Sequence, residues 1–476
     1  MTEVLIKTRF APSPTGELHL GNLRAALFNA LLARREKGVF LLRIEDTDRE
    51  RSRKEFYHQL MDDLRWLGLS WDEGPERGGD RGPYLQSERG EIYERYYEQL
   101  RRKNMVYPCF CTPQQLQVTR KMQRAAGQPP RYPGTCAGLK ESEIQDRLDR
   151  GIHPTLRFRV PVNQQIKFRD LVRGDQTYQT DVIGDFIVRR ADGGPAFFFC
   201  NAIDDAAMGI THVLRGEDHL SNTPRQLLLL QSLGLPVPRY GHISLIVGSD
   251  GAPLAKRQGS RSARELRASG LYPGALVNYM ARLGHSYDDN KFMGLQELAD
   301  LFDMDRLGCA PARFDEAQMQ HWQREALAHD TSDGIWQWMS MTVGDLVPPA
   351  QCDAFVNLVR NNISSPEHAR FWAQVFYGEQ IVMDAEARAV LIQTGEDFLN
   401  HALQAWEQGN HTYSSLVAYL QANTARKGKA LFQPLRAALT GTLHGPELEL
   451  ILDRLPADRV RTRLIQCVEL TRSAAP

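Results

Sequence analysis

Residues Ala11 to Asn22 read APSPTGELHLGN, a run holding two prolines, two glycines and one histidine, His19. An imidazole in such a loop is an N–H donor where negative charge can develop. If the loop opens a helix, the free backbone N–H groups of the first turn and the helix dipole make an anion site, and nucleotide phosphate is its natural occupant. The run fits neither GxxxxGK[ST] nor GxGxxG, so an ordinary kinase or dehydrogenase is not expected. A solitary loop histidine is more often a helix cap than a catalytic group, so its surroundings have to decide. A second cluster is "CFC", Cys109 and Cys111, followed by Cys136. Three thiolates at close quarters suit tetrahedral zinc, although a structural site normally has four protein ligands. The alternative is three buried thiols acting as small hydrophobes.

The elements that position these groups follow from periodicity. "VLIKTRF" is β-rich, Leu23, Ala26, Leu27, Ala30 and Leu31 recur at helical spacing until Gly38, and "VFLLRI" is a second strand. That order is a βαβ unit and implies a parallel sheet. A second such stretch begins near residue 211, where "THVLRGEDHL" reads as strand and acidic loop, "SNTPRQLLLLQSLG" as a helix with Pro224 in its first turn, and "HISLIV" as a strand. Between the halves, residues about 89 to 204 hold the cysteines, a Gly/Pro stretch and short β-like runs such as "TLRFRV" and "DFIVRR", as an inserted domain would. From about residue 315 strand signals nearly vanish, and "HARFWAQVFYG", "EDFLNHALQAWEQG", "SLVAYLQAN" and "ELELILDRL" predict a helical bundle.

The 476 residues exceed one hydrophobic core and predict two to four domains. Lysine plus arginine equals aspartate plus glutamate at 58 each, a balance that neither names nor excludes a polyanionic partner. No window approaches a membrane span and the start lacks a signal-peptide pattern, so a cytoplasmic chain with no membrane partner is expected. Seven cysteines, an odd number, favour free thiols or a metal site over a disulfide framework. Cys200, Cys309, Cys352 and Cys467 are scattered and read as core residues.

"PSPTGELHLGN" resembles the HIGH signature of class I aminoacyl-tRNA synthetases, with His19, Leu20, Gly21 and Asn22 in its four places. "TRFAPSPTG" followed by "RIEDTDRERS" resembles the glutamyl branch, and the all-helical end resembles the bacterial glutamyl-tRNA synthetases. Pro253, Leu254, Ala255, Lys256 and Arg257 occupy the place of the second signature, KMSKS. Pro253 replaces the first lysine and Ala255 the serine, while Lys256 matches the lysine that contacts ATP. The competing reading of this stretch is a solvated basic turn before the Ser262 to Glu265 capping box.

The resemblance implies a multidomain α/β plus all-α chain: a Rossmann-like catalytic domain at 1–88 and 205–250, an inserted acceptor-binding domain at 89–204, a KMSKS and stem-contact region at 251–325, and an anticodon-binding bundle at 326–476. It implies L-glutamate, ATP with Mg²⁺ and tRNA as substrates and a monomer as the expected state. His19 and Lys256 would be catalytic, with Pro12, Thr15, Gly16, Gly21, Asn22 and Glu217 beside them on ATP. Arg9, Ala11, Ser13, Glu45, Phe197, Asn201 and Arg215 fall on the glutamate-binding positions, the arginines suiting carboxylates and Glu45 the ammonium. Phe197 stands where the family usually has tyrosine, so a hydroxyl contact to substrate is weakened or taken over by water. For zinc, the resemblance adds Tyr132 as a fourth ligand, while Gly138 stands where a histidine is found in some relatives.

Basic clusters at Arg120, Lys121 and Arg124, at Lys256, Arg257, Arg261 and Arg264, and at Arg426, Lys427 and Lys429 would suit an elongated RNA. Where the bacterial type often has an arginine that reads the third anticodon base, "NLVRNNISSPEH" places Asn362, with Arg360 as an alternative reader. Asparagine reads with less reach and no charge, so tRNA-Gln is expected as a substrate as well as, or instead of, tRNA-Glu. A small-molecule nucleotidyltransferase and a non-catalytic, synthetase-derived RNA-binding protein are the competing readings.

Overall fold

The computed structural model describes residues 5–48, 50–254, 261–409 and 411–473. Ala255, Lys256 and Arg257 lie outside them. The chain divides into two compact units, residues 1–267 with 276–319 and residues 268–275 with 320–476.

The first unit opens with β1 (Lys7–Phe10), α1 (Leu20–Arg35) and β2 (Val39–Leu42), with β1 and β2 parallel. The five apolar residues at helical spacing on α1 are all buried. The chain then passes under the sheet edge at Gly38, where a Cβ would sit 2.0 Å from the Ile6 carbonyl oxygen. After α2 (Lys54–Trp66) comes the insertion: α3 (Gly90–Arg102), β3 (Val106–Cys109), α4 (Pro113–Ala125), α5 (Glu141–Asp149), β4 (Thr155–Phe158), β5 (Gln165–Asp170), β6 (Gly174–Gln179), the single turn α6 (Thr180–Ile183), β7 (Phe186–Arg189) and α7 (Phe197–Ala207). Here β3, β4 and β7 form an antiparallel sheet and β5 with β6 a hairpin. The "TLRFRV" and "DFIVRR" runs are thus strands, β4 and β7.

The second half supplies β8 (His212–Gly216), α8 (Thr223–Leu233) and β9 (Arg239–Ile243), with β8 and β9 again parallel. Thr211 N–H donates to the Lys7 carbonyl at 2.9 Å, which sets β8 beside β1. Asn29 of α1 donates to the Leu214 carbonyl at 2.8 Å and ties the helix across both halves. The inserted hairpin is anchored to the same sheet, because Leu171 N–H donates to the Tyr240 carbonyl at 2.8 Å. The chain continues through β10 (Ile246–Val247), α9 (Ala263–Ala268), α10 (Pro273–Arg282), α11 (Leu295–Asp300) and β11 (Ala312–Arg313).

Beyond β11 the described residues hold helices and turns without a strand: α12 (Glu316–His329), α13 (Ser332–Val343), α14 (Cys352–Val359), α15 (Pro366–Tyr377), α16 (Ala385–Thr394), α17 (Glu396–Gln408), α18 (Tyr413–Asn423), α19 (Lys429–Thr440), α20 (Leu448–Arg454) and α21 (Ala457–Ser473). Trp322, Trp372 and Trp406 are fully buried in this second unit. Arg463 is buried too, and donates to the Leu439 and Val375 carbonyls at 2.5 and 2.6 Å. No helix of the described residues is long and apolar enough to cross a membrane. Two of the four scattered cysteines depart from expectation. Cys200 and Cys467 are buried, but Cys309 is exposed and Cys352 half-buried, because each sits in a turn or at a helix start.

Candidate active site

The loop between β1 and α1 delivers its histidine to the helix start. His19 is the N-cap of α1, in extended conformation, and its backbone N–H is 3.4 Å from the Asn22 side-chain oxygen. A Cβ on Gly21 would lie 3.4 Å from His19 Nδ1, so the imidazole lies along the first turn in contact distance of that position. Next to it, Ala263 N–H donates to the Leu18 carbonyl, and the predicted Ser262–Glu265 capping box is formed.

A cleft of about 560 Å³ opens over this loop at the ends of β1 and β8. Thirteen of the expected residues line it: Arg9, Ala11, Pro12, Ser13, Thr15, Gly16, His19, Gly21, Asn22, Glu45, Phe197, Asn201 and Arg215. Glu217 does not line it. Its carboxylate accepts the Leu245 backbone N–H at 2.8 Å and pairs with Arg173, so it shapes the wall through Leu245, which does line the cleft. Lys256 falls outside the described residues. Phe197 lies partly exposed at the rim, its ring stacked on His219 with centroids 5.5 Å apart. Burial, partly offset by Asp218, pulls the His219 imidazole down to about 4, so it is neutral at physiological pH.

Beneath the cleft runs a continuous buried polar network. Arg9 faces Asp205 at 3.3 and 3.5 Å, and Arg43 donates to Asp205 at 2.7 Å and to Glu45 at 3.0 Å. Burial opposes ionisation of Asp205, but Arg9 and Arg43 outweigh it and hold the carboxyl below its ordinary value. For Glu45 burial wins over Arg43 and the carboxyl is pushed up. Asn201 donates to Glu45 at 2.6 Å and accepts from Gln226 at 2.7 Å. Gln226 in turn accepts from Arg215 at 2.7 Å. Burial lowers the Arg215 guanidinium to about 10, still charged at neutral pH. Arg215 Nη1 is buried without a hydrogen-bond partner, an uncommon state for a charged donor and one a bound anion would relieve.

Sequence reasoning missed Arg43, Asp205, Gln226, Thr223, His242 and Asp170. One signal was present: an Asp204–Asp205 pair inside an otherwise apolar helix must find cationic or hydrogen-bonding partners once buried. Asp204 finds Arg89, Gln86 and Tyr93 at 2.6, 2.8 and 2.7 Å.

In the insertion, Cys109, Cys111 and Cys136 have sulfurs all within 4.8 Å of one another. Cys111 and Cys136 are 3.7 Å apart, and Tyr132 Oη lies 3.4 and 3.7 Å from Cys109 and Cys111. Tetrahedral zinc with bonds of about 2.3 Å sets sulfurs roughly 3.7 Å apart, the spacing of Cys111 and Cys136, so the three thiols are compatible with the ion. Burial resists ionisation of Cys109, yet its hydrogen bonds with Tyr132 and Arg157 prevail and bring the thiol down to about 7. A Cβ on Gly138 would meet nothing within 4 Å.

In the second unit, Asn362 is half-buried in the turn Arg360–Asn362. Arg360 is committed elsewhere: it donates to the Leu327 carbonyl at 2.8 Å and to the Asp330 carbonyl. Arg120, Lys121 and Arg124 are exposed on α4, which buries no residue.

A doubly wound parallel sheet split by an insertion, with a loop histidine capping the first helix under a polar cleft, defines the catalytic half of a class I tRNA synthetase. Residues 5–321 match the family described as tRNA synthetases class I (E and Q), catalytic domain, and residues 336–468 match an anticodon-binding domain. The chain is 54% identical to glutamate–tRNA ligase 2 of Nitrosococcus oceani, over 98% of this chain and 99% of that one. It is 51% identical to glutamate–tRNA ligase 1 of Halorhodospira halophila, over 99% and 98%. The crystal structure of a glutamate tRNA ligase from Elizabethkingia meningosepticum, in complex with its amino acid, superposes with a TM-score of 0.86 at 28% identity, covering 98% of this chain and 99% of that one. The chain belongs to the bacterial-type glutamate–tRNA ligase family.

Proposed function

We propose that this protein attaches L-glutamate to tRNA through a glutamyl-adenylate, using ATP with Mg²⁺. The observation that carries the reading is the cleft itself, which gathers His19, Arg9, Glu45, Asn201 and Arg215 around one space and leaves Arg215 Nη1 without a partner. The arginines take the two carboxylates of glutamate and Glu45 its ammonium. The phosphates lie over the Pro12–Asn22 loop. The glutamate α-carboxylate attacks the α-phosphate and pyrophosphate leaves, while the His19 N–H and the Lys256 ammonium stabilise the charge that develops. Mg²⁺ neutralises phosphate charge. The terminal ribose hydroxyl of tRNA then attacks the adenylate carbonyl and AMP departs. With no covalent enzyme intermediate, orientation and electrostatics supply most of the rate.

The insertion at 89–204 takes the acceptor end and residues 326–476 the anticodon. Cys109, Cys111, Cys136 and Tyr132 would hold zinc, which when bound would stiffen the insertion. Asn362 in place of an arginine extends the substrate range to tRNA-Gln, a reading favoured by the engagement of Arg360 with two carbonyls, which removes it as a substitute reader.

The test is charging of purified tRNA-Glu and tRNA-Gln with labelled glutamate, side by side, with pyrophosphate exchange run with and without RNA. Charging of both RNAs and exchange only when tRNA is bound are expected. Charging of tRNA-Glu alone would remove the reading of Asn362. Absence of exchange with any tRNA would leave a non-catalytic RNA-binding protein.

A further inference from the structure

Arg215 does not hold itself in place. Of its five N–H groups, Nε–H is 3.1 Å from His242 Nε2, and Nη2 donates to Thr223 Oγ1 at 2.8 Å and to Gln226 Oε1 at 2.7 Å. The Nη1 pair is left, buried and without a partner. Whether His242 can accept from Nε depends on which of its nitrogens carries the proton, and Asp170 settles that. His242 Nδ1 is 2.5 Å from Asp170 Oδ2, while Asp170 Oδ1 accepts the backbone N–H groups of Val172, Arg173 and His242 at 3.0, 2.8 and 3.1 Å. A carboxylate in that position only accepts, so Nδ1 must donate and Nε2 must present a lone pair. Thr223 Oγ1 accepts from Arg215 and lies 3.0 Å from Nε2, so the hydroxyl is wedged between the imidazole and the guanidinium. All four side chains are buried. Asp170 ends the inserted hairpin β5, whereas His242 and Arg215 sit on the second half of the nucleotide fold.

We propose that Asp170 and His242 are positioning residues for amino-acid selection: together they fix the imidazole tautomer that holds the Arg215 fork with Nη1 turned to a substrate carboxylate. The inserted domain thereby contributes a residue to glutamate recognition without touching glutamate. This rests on the reading of Arg215 as a glutamate-binding residue, and the test separates the two.

Pyrophosphate exchange in the presence of tRNA gives KM for glutamate and for ATP separately. His242→Asn keeps an amide near Asp170 but cannot reach Arg215. It is expected to raise KM for glutamate at least about tenfold, the scale of a hydrogen bond to a charged group, with KM for ATP within about twofold. His242→Gln, which returns an acceptor to the Nε2 position, is expected to recover most of that loss, an outcome that general loosening of the fold would not give. Arg215→Lys is the reference. If it raises KM for glutamate while His242→Asn and Asp170→Asn leave it unchanged, the positioning role is overturned and the glutamate reading stands. If Arg215→Lys leaves it unchanged, both are overturned. Should His242→Asn not fold, Thr223→Val, which keeps the shape but removes the hydroxyl between His242 and Arg215, carries the same expectation. An unchanged KM for glutamate in that variant overturns the proposal as well.

Discussion

Phe197 shows what one missing atom does at the rim of the cleft. Its ring borders the cleft and stacks on a neutral His219, so the aromatic surface remains while the hydroxyl of the family's usual tyrosine does not. A hydrogen bond contributes about 0.5 to 1.5 kcal/mol net. Phe197→Tyr should therefore lower KM for glutamate by roughly 2- to 12-fold, with KM for ATP unmoved. Steady-state kinetics with glutamate varied at saturating ATP and tRNA checks this, and no change would mean that water already fills the place of the hydroxyl. The metal cluster makes a second prediction at this scale. Purified protein should carry one zinc per chain by elemental analysis, and Cys136→Ser should release it and lower the melting temperature, because metal-binding energy is folding energy in such a site. A metal-free protein with unchanged stability in Cys136→Ser would leave the thiols as ordinary buried side chains.

At the scale of elements, much was legible because the signals are local. The apolar spacing of Leu23 to Leu31, the "VFLLRI" run, Pro224 in a first turn and the Ser262–Glu265 box each report on the segment that carries them, and each is found where the pattern places it. The Pro12–Asn22 loop was legible as well, since its glycines and histidine sit within twelve residues and need no distant partner to be recognised. The network below the cleft was not. Asp170 and His242 are 72 positions apart and Arg43 and Asp205 162 apart, and a sequence gives no sign that one buried charge has chosen another over such distances. The role of Arg360 was hidden for the same reason: its partners are backbone carbonyls on α12 and just past its end, and carbonyls have no sequence signature. Asp63 on α2 is a further case, because an acidic residue on a polar helix reads as solvated. It is buried with Oδ2 unpartnered, and burial pushes its carboxyl up to about 6. A raised folded-state value means that Asp63 favours the fold at low pH and costs stability as pH rises through about 6. Asp63→Asn should accordingly raise the melting temperature at pH 8 and change it less as the pH is lowered toward 4, where the carboxyl is protonated in the folded protein and increasingly so in the unfolded chain. A lower melting temperature at pH 8 would mean that the charge has a partner there.

On the scale of the whole molecule, the two units carry different acid sensitivity. In the first, burial pulls the imidazoles of His212, His219 and His285 down to about 4, and lowers that of His242 as well. Unfolded histidine takes up a proton near 6.5, so between about 6.5 and 4 the unfolded chain binds protons that the folded unit refuses. Stability of that unit must fall as pH drops through the window and level off below it. Asp63 and Glu45 work the other way over part of the range, but two carboxyls oppose four imidazoles. Among the described residues of the second unit, His368 is the histidine held below its ordinary value by desolvation, and its side chain is exposed. The first unit should therefore unfold earlier than the second as the solution is acidified. The distribution of tryptophan makes the two separable: Trp322, Trp336, Trp338, Trp372 and Trp406 lie in the second unit and Trp66 and Trp71 in the first. Denaturant titrations at pH 7.5 and pH 5, followed by far-ultraviolet circular dichroism and by tryptophan fluorescence, should give midpoints that separate further at pH 5, with the fluorescence midpoint shifting less. His285→Gln, which keeps an acceptor for the Asp303 backbone N–H that His285 Nε2 takes at 3.0 Å, should flatten the dichroism shift without moving the fluorescence one. Midpoints that move together with pH would show that the two units unfold as one cooperative body, and the histidines of the first would then destabilise the whole chain.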